Sequence, residues 1–279
     1  KNANQLDNSK FFNFYLDQSI KNLDLVGLDS IIHLAGDSSF KKNASIKDFE
    51  ERNLSSSLWL LERSAECGVK RFIYLSSIKV HGEKSLEPLS SKSLTAPKDH
   101  YSYCKLKSEE IIRETCAKKD IDFAIVRSPI IYGLGMKGNL INLFKIIKYG
   151  FPLPFKNINN KRSFLYIKNL EEALLKIVEF DGKISKTFTL SDPEAVSTSE
   201  LISIICNCFA VNNKTFKVSE TTIRNISNIF GMSNVMSKFL DSLEVSNEEF
   251  RNFFNWEPEI KTAEGIKYTI DSIYADKNI

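Results

Sequence analysis

Arg71-Phe72-Ile73-Tyr74-Leu75-Ser76-Ser77 is the stretch on which the fold turns. Arg71 to Leu75 reads as a short buried strand, and it delivers a serine pair at its carboxyl end. Upstream, Phe49, Leu54, Leu58, Leu61 and Ala65 recur near helical spacing, which predicts an amphipathic helix from Ile46 to Cys67 with Gly68 as its stop. Ser30 to Ala35 precedes it as another buried strand. Downstream, a helix is expected over Tyr101 to Ala117 and a strand over Asp122 to Arg127. Apolar strands alternating with helices imply an α/β fold whose parallel sheet is covered on both faces. Such sheets place ligands at the carboxyl ends of their strands.

The texture changes beyond Gly133. A loop around Pro152 and Pro154 leads to a strand-like run from Arg162 to Ile167, then a helix from Asn169 to Phe180 and a short strand from Thr187 to Leu190. Mainly helices follow, with a break at Trp256-Glu257-Pro258. The division expected is a sheet domain over 1–135, to which parts of 160–195 return, and a smaller mixed lobe over 136–279 that binds substrate.

The 279 residues, 42% of them apolar, can bury a substantial core. Thirty-eight basic against 35 acidic residues leave a net charge of +3, without the basic stripe expected of a nucleic-acid-binding protein. No apolar run reaches the length of a membrane span, and five cysteines make an awkward count for a disulfide framework. A cytoplasmic location is expected. Three scattered histidines, at 33, 81 and 100, predict no metal.

Chemistry concentrates in Tyr101-Ser102-Tyr103-Cys104-Lys105. A tyrosine and a lysine four apart share a helix face, where an ammonium can stabilise phenolate and make the phenol an acid/base near neutral pH. Alone the pair also reads as a solvated face with one buried aromatic. The serine pair at the end of the preceding strand strengthens the chemical reading, because a hydroxyl there can bond the same substrate oxygen. Ser77, Tyr101 and Lys105 are therefore expected to converge on one cleft.

Several ordered blocks make the chain resemble the extended short-chain dehydrogenases/reductases that act on nucleotide sugars. Ile32-His33-Leu34-Ala35-Gly36 is similar to that family's cofactor-side segment. Asn53 resembles the asparagine of its N-x-x-G-T helix, with Ser56 and Ser57 in place of Gly-Thr. Val126 to Gly133 resembles its R-x-x-x-x-Y-G segment, Asn160 to Phe164 with Asn169-Leu170 its substrate block, and Trp256-Glu257-Pro258 its closing segment. The resemblance implies a Rossmann-like doubly wound sheet and a reaction at sugar C4, either epimerisation or 4-keto reduction, in bacterial surface-polysaccharide synthesis. Ser77, Tyr101 and Lys105 would be catalytic. NAD or NADP would meet Leu34, Ala35, Gly36, Asn53, Tyr101, Lys105 and Pro129. A UDP-sugar would meet Ser77, Lys79, Asn139 and Arg162, with a planar guanidinium suited to its diphosphate. A surface ion pair is the alternative for Arg162, and a helix N-cap the alternative for Asn139. A homodimer is compatible with the resemblance.

One departure stands out. The family opens on a strand, a G-x-x-G-x-x-G turn and a helix whose N-terminus meets the cofactor pyrophosphate. Here the first glycine is Gly27 and no such fingerprint occurs. The chain reads as starting at the family's third strand, near Phe14 to Asp17, so an exposed apolar sheet edge and weak dinucleotide affinity are expected of these residues alone. A catalytically impaired nucleotide-sugar-binding or regulatory protein on the same fold is the alternative reading.

Overall fold

The computed structural model describes residues 23–34, 36, 50–136 and 138–274. The expected strand near Phe14 to Asp17 and the expected contact residue Ala35 lie outside them.

Four parallel strands form the main sheet. They are β1 (Ser30–His33), β2 (Arg71–Ser77), β3 (Asp122–Ser128) and a later strand, β6 (Ser185–Thr189), in the order β1-β2-β3-β6. Register is continuous from Arg71 opposite Asp122 to Ser77 opposite Ser128. Both serines thus emerge at the same edge, the carboxyl ends. A second, two-stranded parallel sheet pairs β4 (Ile130–Tyr132) with β5 (Phe164–Tyr166). β4 carries Tyr132, the tyrosine of the Tyr-Gly block, and ends just before Gly133. Gly133 follows it at φ +151°, where an added Cβ would lie 2.4 Å from the Ile167 Cγ2. Glycine is required there on both counts.

Helices cover both faces of the main sheet. On one side lie α1 (Ser56–Glu66), entered through a π-helical turn at Glu51–Ser55, and α2 (His100–Lys119). Leu60, Leu61 and Ile112 from these helices pack on Phe72, Tyr74, Phe123 and Ile125. A capping box starts α2: the Asp99 carboxylate accepts the Ser102 N–H at 2.7 Å, and the Ser102 hydroxyl accepts the Asp99 N–H at 3.3 Å.

On the other face lies α4 (Ile167–Val178), reached after α3 (Asn139–Lys148). Ile73, Ala124 and Val126 meet Ala173 and Ile177 there, joined by Phe188, Phe250 and Trp256. Phe250 belongs to α8 (Glu248–Phe254), and Trp256 stands edge-on to it at 5.2 Å. The Trp-Glu-Pro break is therefore a buried anchor. In the central strands, Phe72 to Tyr74 and Phe123 to Val126 are apolar because neither face of the sheet meets water there.

The remaining helices are α5 (Thr198–Cys208), α6 (Glu220–Ile229), α7 (Ser233–Leu240) and α9 (Thr262–Tyr274). Together with α3 they bury Leu143, Phe144, Ile202, Ile205, Ile223 and Ile266 in a separate apolar cluster. Asp192 ties this cluster to the second sheet. Its carboxylate accepts from the Tyr132 hydroxyl at 2.7 Å, the Tyr166 N–H at 2.8 Å and the Asn169 side chain at 2.8 Å.

Among the described residues β1 pairs only with β2, and Ile32 and Leu34 are 39% and 53% exposed. No described helix is long and apolar enough to cross a membrane.

Arg71 closes the far side of α4. Its Nη1 donates to the Ile177 carbonyl at 2.8 Å and the Phe180 carbonyl at 2.7 Å, and its Nη2 to the Gly182 carbonyl at 2.7 Å. A guanidinium with several donors suits a helix end that leaves carbonyls unsatisfied. Arg71→Met is expected to cost about 2–4 kcal/mol, because one buried and two partly buried carbonyls lose a shared donor at once. A fall in the urea midpoint with an unchanged m-value checks this.

Candidate active site

The cleft lies where the sequence places it, at the carboxyl ends of the main sheet. Its volume is about 560 Å³, within the range of small-ligand sites. Leu34, Gly36, Ser77, Lys79, Tyr101, Lys105, Pro129, Asn139 and Arg162, all expected from the sequence, line it together. Asn53 is buried behind Gly36, its side-chain oxygen 3.4 Å from where a Cβ on Gly36 would lie.

Each side chain arrives by a separate route. Ser77 ends β2, where the backbone turns into a 3₁₀ segment at Ile78–His81, and its Oγ accepts the Lys79 N–H at 3.3 Å. Tyr101 and Lys105 sit one turn apart at the start of α2. The Ser77 hydroxyl faces the Tyr101 phenol and favours its ionised form. Lys105 is 4% exposed and donates to the Leu75 carbonyl at 2.8 Å.

Electrostatics divides the pair differently from the sequence expectation. Burial raises the Tyr101 pKa above the usual phenol range, with Lys79 and Ser77 opposing the rise and Asp99 adding to it. The Lys79 charge is the largest influence opposing that rise. Lys105 holds its ammonium 6.0 Å from the centroid of the Tyr101 ring and 4.5 Å from that of Tyr74. Burial pushes Lys105 down to about 8, with Glu109 holding it up.

Lys79 in turn bridges Glu83 at 2.7 Å and Asp99 at 2.8 Å. Its charge thereby links the segment after Ser77 to the cap of the helix that carries Tyr101. Asn139 does not cap α3; Gly138 holds that position, and the exposed Asn139 side chain is the first helical residue on the cleft wall. Arg162 is buried and gives Nη1 to the Asp241 carbonyl at 3.0 Å. It is no surface ion pair, and burial lowers its pKa.

The chain matches the NAD dependent epimerase/dehydratase family over residues 4–190, more than half its length. It belongs to that family. A UDP-glucose 4-epimerase of Vibrio cholerae is 29% identical over 235 residues, 82% of this chain and 71% of that protein. Two other curated relatives are spanned over about half their length. Two solved structures share the fold. A UDP-glucuronic acid 4-epimerase from Bacillus cereus, in complex with NAD, aligns with a TM-score of 0.73 at 19% identity, over 91% of this chain and 76% of that one. A UDP-glucose 4-epimerase from Thermotoga maritima, with UDP-glucose, gives 0.71 at 18%, over 90% and 78%.

The family's dinucleotide can be tested against the residues present. A Cβ on Gly36 would stand 3.2 Å from the Lys105 ammonium, so a bare backbone keeps this corner open beside a buried cation. That corner, with Tyr101, Leu34 and Pro129 on the same wall, fits the nicotinamide ribose. Glu83, Thr198 and Lys238 also line the cleft and escape a reading of the sequence. They come from a loop and from the first turn of α5 and the last of α7, none of which carries a motif. No ion pair of Lys238 occurs among the described residues.

The buried lysine has a measurable signature. Its folded pKa of about 8 lies below a lysine's ordinary 10.5. Between those values the unfolded chain binds a proton that the folded chain does not, so this lysine's penalty on folding disappears as pH rises. The shift is equivalent to about 3 kcal/mol. Lys105→Met should gain most relative to the native chain below about pH 8, and that gain should vanish by about pH 10.5. Parallel denaturant titrations at pH 7 and above pH 10 read the change; a gap independent of pH would contradict it.

Proposed function

We propose that the chain forms the catalytic and substrate-binding part of an NAD-dependent nucleotide-sugar enzyme that epimerises a UDP-sugar at C4. The observation that carries this reading is the meeting of Ser77, Tyr101 and Lys105 on the wall of one cleft with Arg162 and the start of α3. Acid/base and anion-binding groups then face a single ligand.

Tyr101 takes the C4 hydroxyl proton as the keto sugar forms and returns it when the keto group is reduced. Ser77 donates to the same oxygen and orients it. Lys105, anchored on the Leu75 carbonyl, holds the ribose hydroxyls beside Gly36 and Asn53. When bound, the nicotinamide supplies a two-electron acceptor and donor, so epimerisation leaves it unchanged overall. The Tyr101 phenol, whose ionisation burial disfavours, would gain positive charge beside it from the oxidised nicotinamide when bound. The proton then moves in the complex rather than in the free enzyme.

Substrate anchoring falls to the other wall. Apart from the bond to Asp241, the Arg162 guanidinium has no hydrogen-bond partner among the described residues. Its free N–H groups, the Lys238 ammonium and the N–H groups that open α3 provide donors for a diphosphate. An Escherichia coli relative that is an undecaprenol-linked-sugar 4-epimerase, 28% identical over 57% of this chain, supports a role in supplying sugars for surface polysaccharides.

Two substitutions separate the roles. Tyr101→Phe is expected to lower kcat by about 10²–10⁴-fold with UDP affinity nearly intact, because the phenol acts in proton transfer. Arg162→Met should weaken UDP by about tenfold or more, the worth of a charge-assisted hydrogen bond. Turnover with catalytic amounts of NAD distinguishes epimerisation from 4-keto reduction, which consumes reduced cofactor in proportion to product. Retention of most activity in Tyr101→Phe would refute the proposal.

A further inference from the structure

The end of α3 remote from the cleft carries a surface that catalysis does not use. The helix stops in a Schellman turn. The Gly150 N–H donates to the Ile147 carbonyl at 2.8 Å and the Phe151 N–H to the Ile146 carbonyl at 3.2 Å. Gly150 takes φ +71°, a conformation that costs glycine nothing. This turn fixes Tyr149 and Phe151 pointing outward, 75% and 62% exposed, beside the 39%-exposed Ile146.

A second segment lies alongside. Thr215 bridges Leu153, the Phe216 N–H donates to the Leu153 carbonyl at 3.0 Å, and the Lys156 N–H donates to the Phe216 carbonyl at 3.3 Å. Phe216, 45% exposed, stands between Lys214 and Lys217. The Lys214 ammonium lies 3.2 Å from where a Cβ on Gly150 would be, so the two segments form one face.

That face is cationic without compensation. Lys145, Lys156, Lys214 and Lys217 are exposed, and none of the four makes an ion pair among the described residues. The sequence explains why: no Asp or Glu occurs from Phe123 to Leu170, or from Leu201 to Ser219. In a chain whose total charge is only +3, this is a strong local separation.

We propose that this face docks the protein on an anionic lipid bilayer. Exposed rings flanked by lysines match the two halves of such a surface: the rings enter the headgroup boundary while ammonium groups meet lipid phosphates. Single-stranded nucleic acid also rewards lysines and rings, but it needs rings in series along a groove. Here they project from the outside of a turn, among the aliphatic Ile146 and Pro152, on which bases do not stack. The first turn of α3 lines the cleft, and ten residues of helix span about 15 Å. Docking through the last turn therefore leaves the cleft open to a soluble substrate. The proposal goes beyond the enzymatic reading and does not depend on it.

Co-sedimentation of the full chain with vesicles of mixed phosphatidylcholine and phosphatidylglycerol, and with phosphatidylcholine alone, tests the assignment. Binding is expected only to the mixed vesicles and should weaken with salt. Lys214→Gln with Lys217→Gln should reduce it about 25-fold, near fivefold per lysine. Phe151→Ser with Phe216→Ser should reduce it by at least about tenfold, from lost apolar burial. All four positions are exposed, and unchanged circular dichroism would confirm folding. Equal affinity for neutral vesicles, or no binding to mixed vesicles at low salt, would overturn the proposal. So would loss of binding in Phe230→Ser, which alters only the uncharged α6–α7 tip. A drop in oligomeric state on Phe151→Ser with Phe216→Ser would assign the face to a second copy of the chain instead. Capture of a single-stranded oligonucleotide, lost in the lysine variant, would assign it to nucleic acid.

Discussion

Glu109 has no exposed surface, yet the site hangs on it. Its carboxylate receives Arg127 Nε at 3.0 Å and Nη2 at 2.6 Å, Arg113 Nη2 at 2.6 Å and the Ser76 hydroxyl at 2.6 Å. Removing a carboxylate from water costs several kcal/mol, and only a full set of charge-assisted bonds offsets that. The bonds come from β2, β3 and α2 itself, so they lock the register of the helix over the sheet. Two turns earlier on the same helix, Tyr101 is thereby brought level with Ser77. Arg127 also donates Nη1 to the His81 Nε2 at 2.9 Å, which leaves His81 its Nδ1–H for the Leu94 carbonyl at 3.0 Å. An arginine only donates, so His81 accepts as a neutral ring, and burial lowers its pKa accordingly. The loop after Ser77 is therefore fixed by the same guanidinium.

Above this anchor the site keeps a charge where the fold would not choose one. Lys105 is enclosed by Tyr74, Tyr101 and the end of β2, with one carbonyl as its partner and Glu109 a turn away. Its lowered pKa and the raised pKa of Tyr101 move apart two titrations whose ordinary values, 10.5 and 10.0, lie close together. Burial thus leaves the free cleft with its phenol protonated. The fold bears the desolvation of both residues. Lys79 sits outside the pocket floor and tunes the phenol through a partly solvated ion-pair chain with Asp99 and Glu83.

Much of this was legible. Strand–helix alternation around Arg71 to Leu75 predicts the parallel sheet, and the Tyr-x-x-x-Lys spacing places two groups on one helix face, because both signals are periodic and local. Element ends were less so. The run from Arg162 to Ile167 holds only three strand residues, Phe164–Tyr166, with Ile167 already helical. Arg162 instead makes isolated bridges to Val196 and Leu243. β4 went unread since its three residues are a strand only through pairing with β5. Lys238 and Glu83 carry no motif and become cleft residues through the packing of α7 and of the loop after β2.

The sequence by itself determined the sheet, its covered faces and the placement of Ser77, Tyr101 and Lys105 at one cleft, because hydrophobic period and residue spacing act over one element at a time. Only the tertiary structure decided where the two cations near the phenol are anchored. Lys79 and Lys105 are both within reach on paper, one from the loop and one from the helix. Folding turns Lys105 toward the Leu75 carbonyl and Lys79 toward the cap of α2. That choice depends on burial and on partners 20 to 30 residues away. Desolvation is a property of the packed surroundings, and no stretch of sequence contains them.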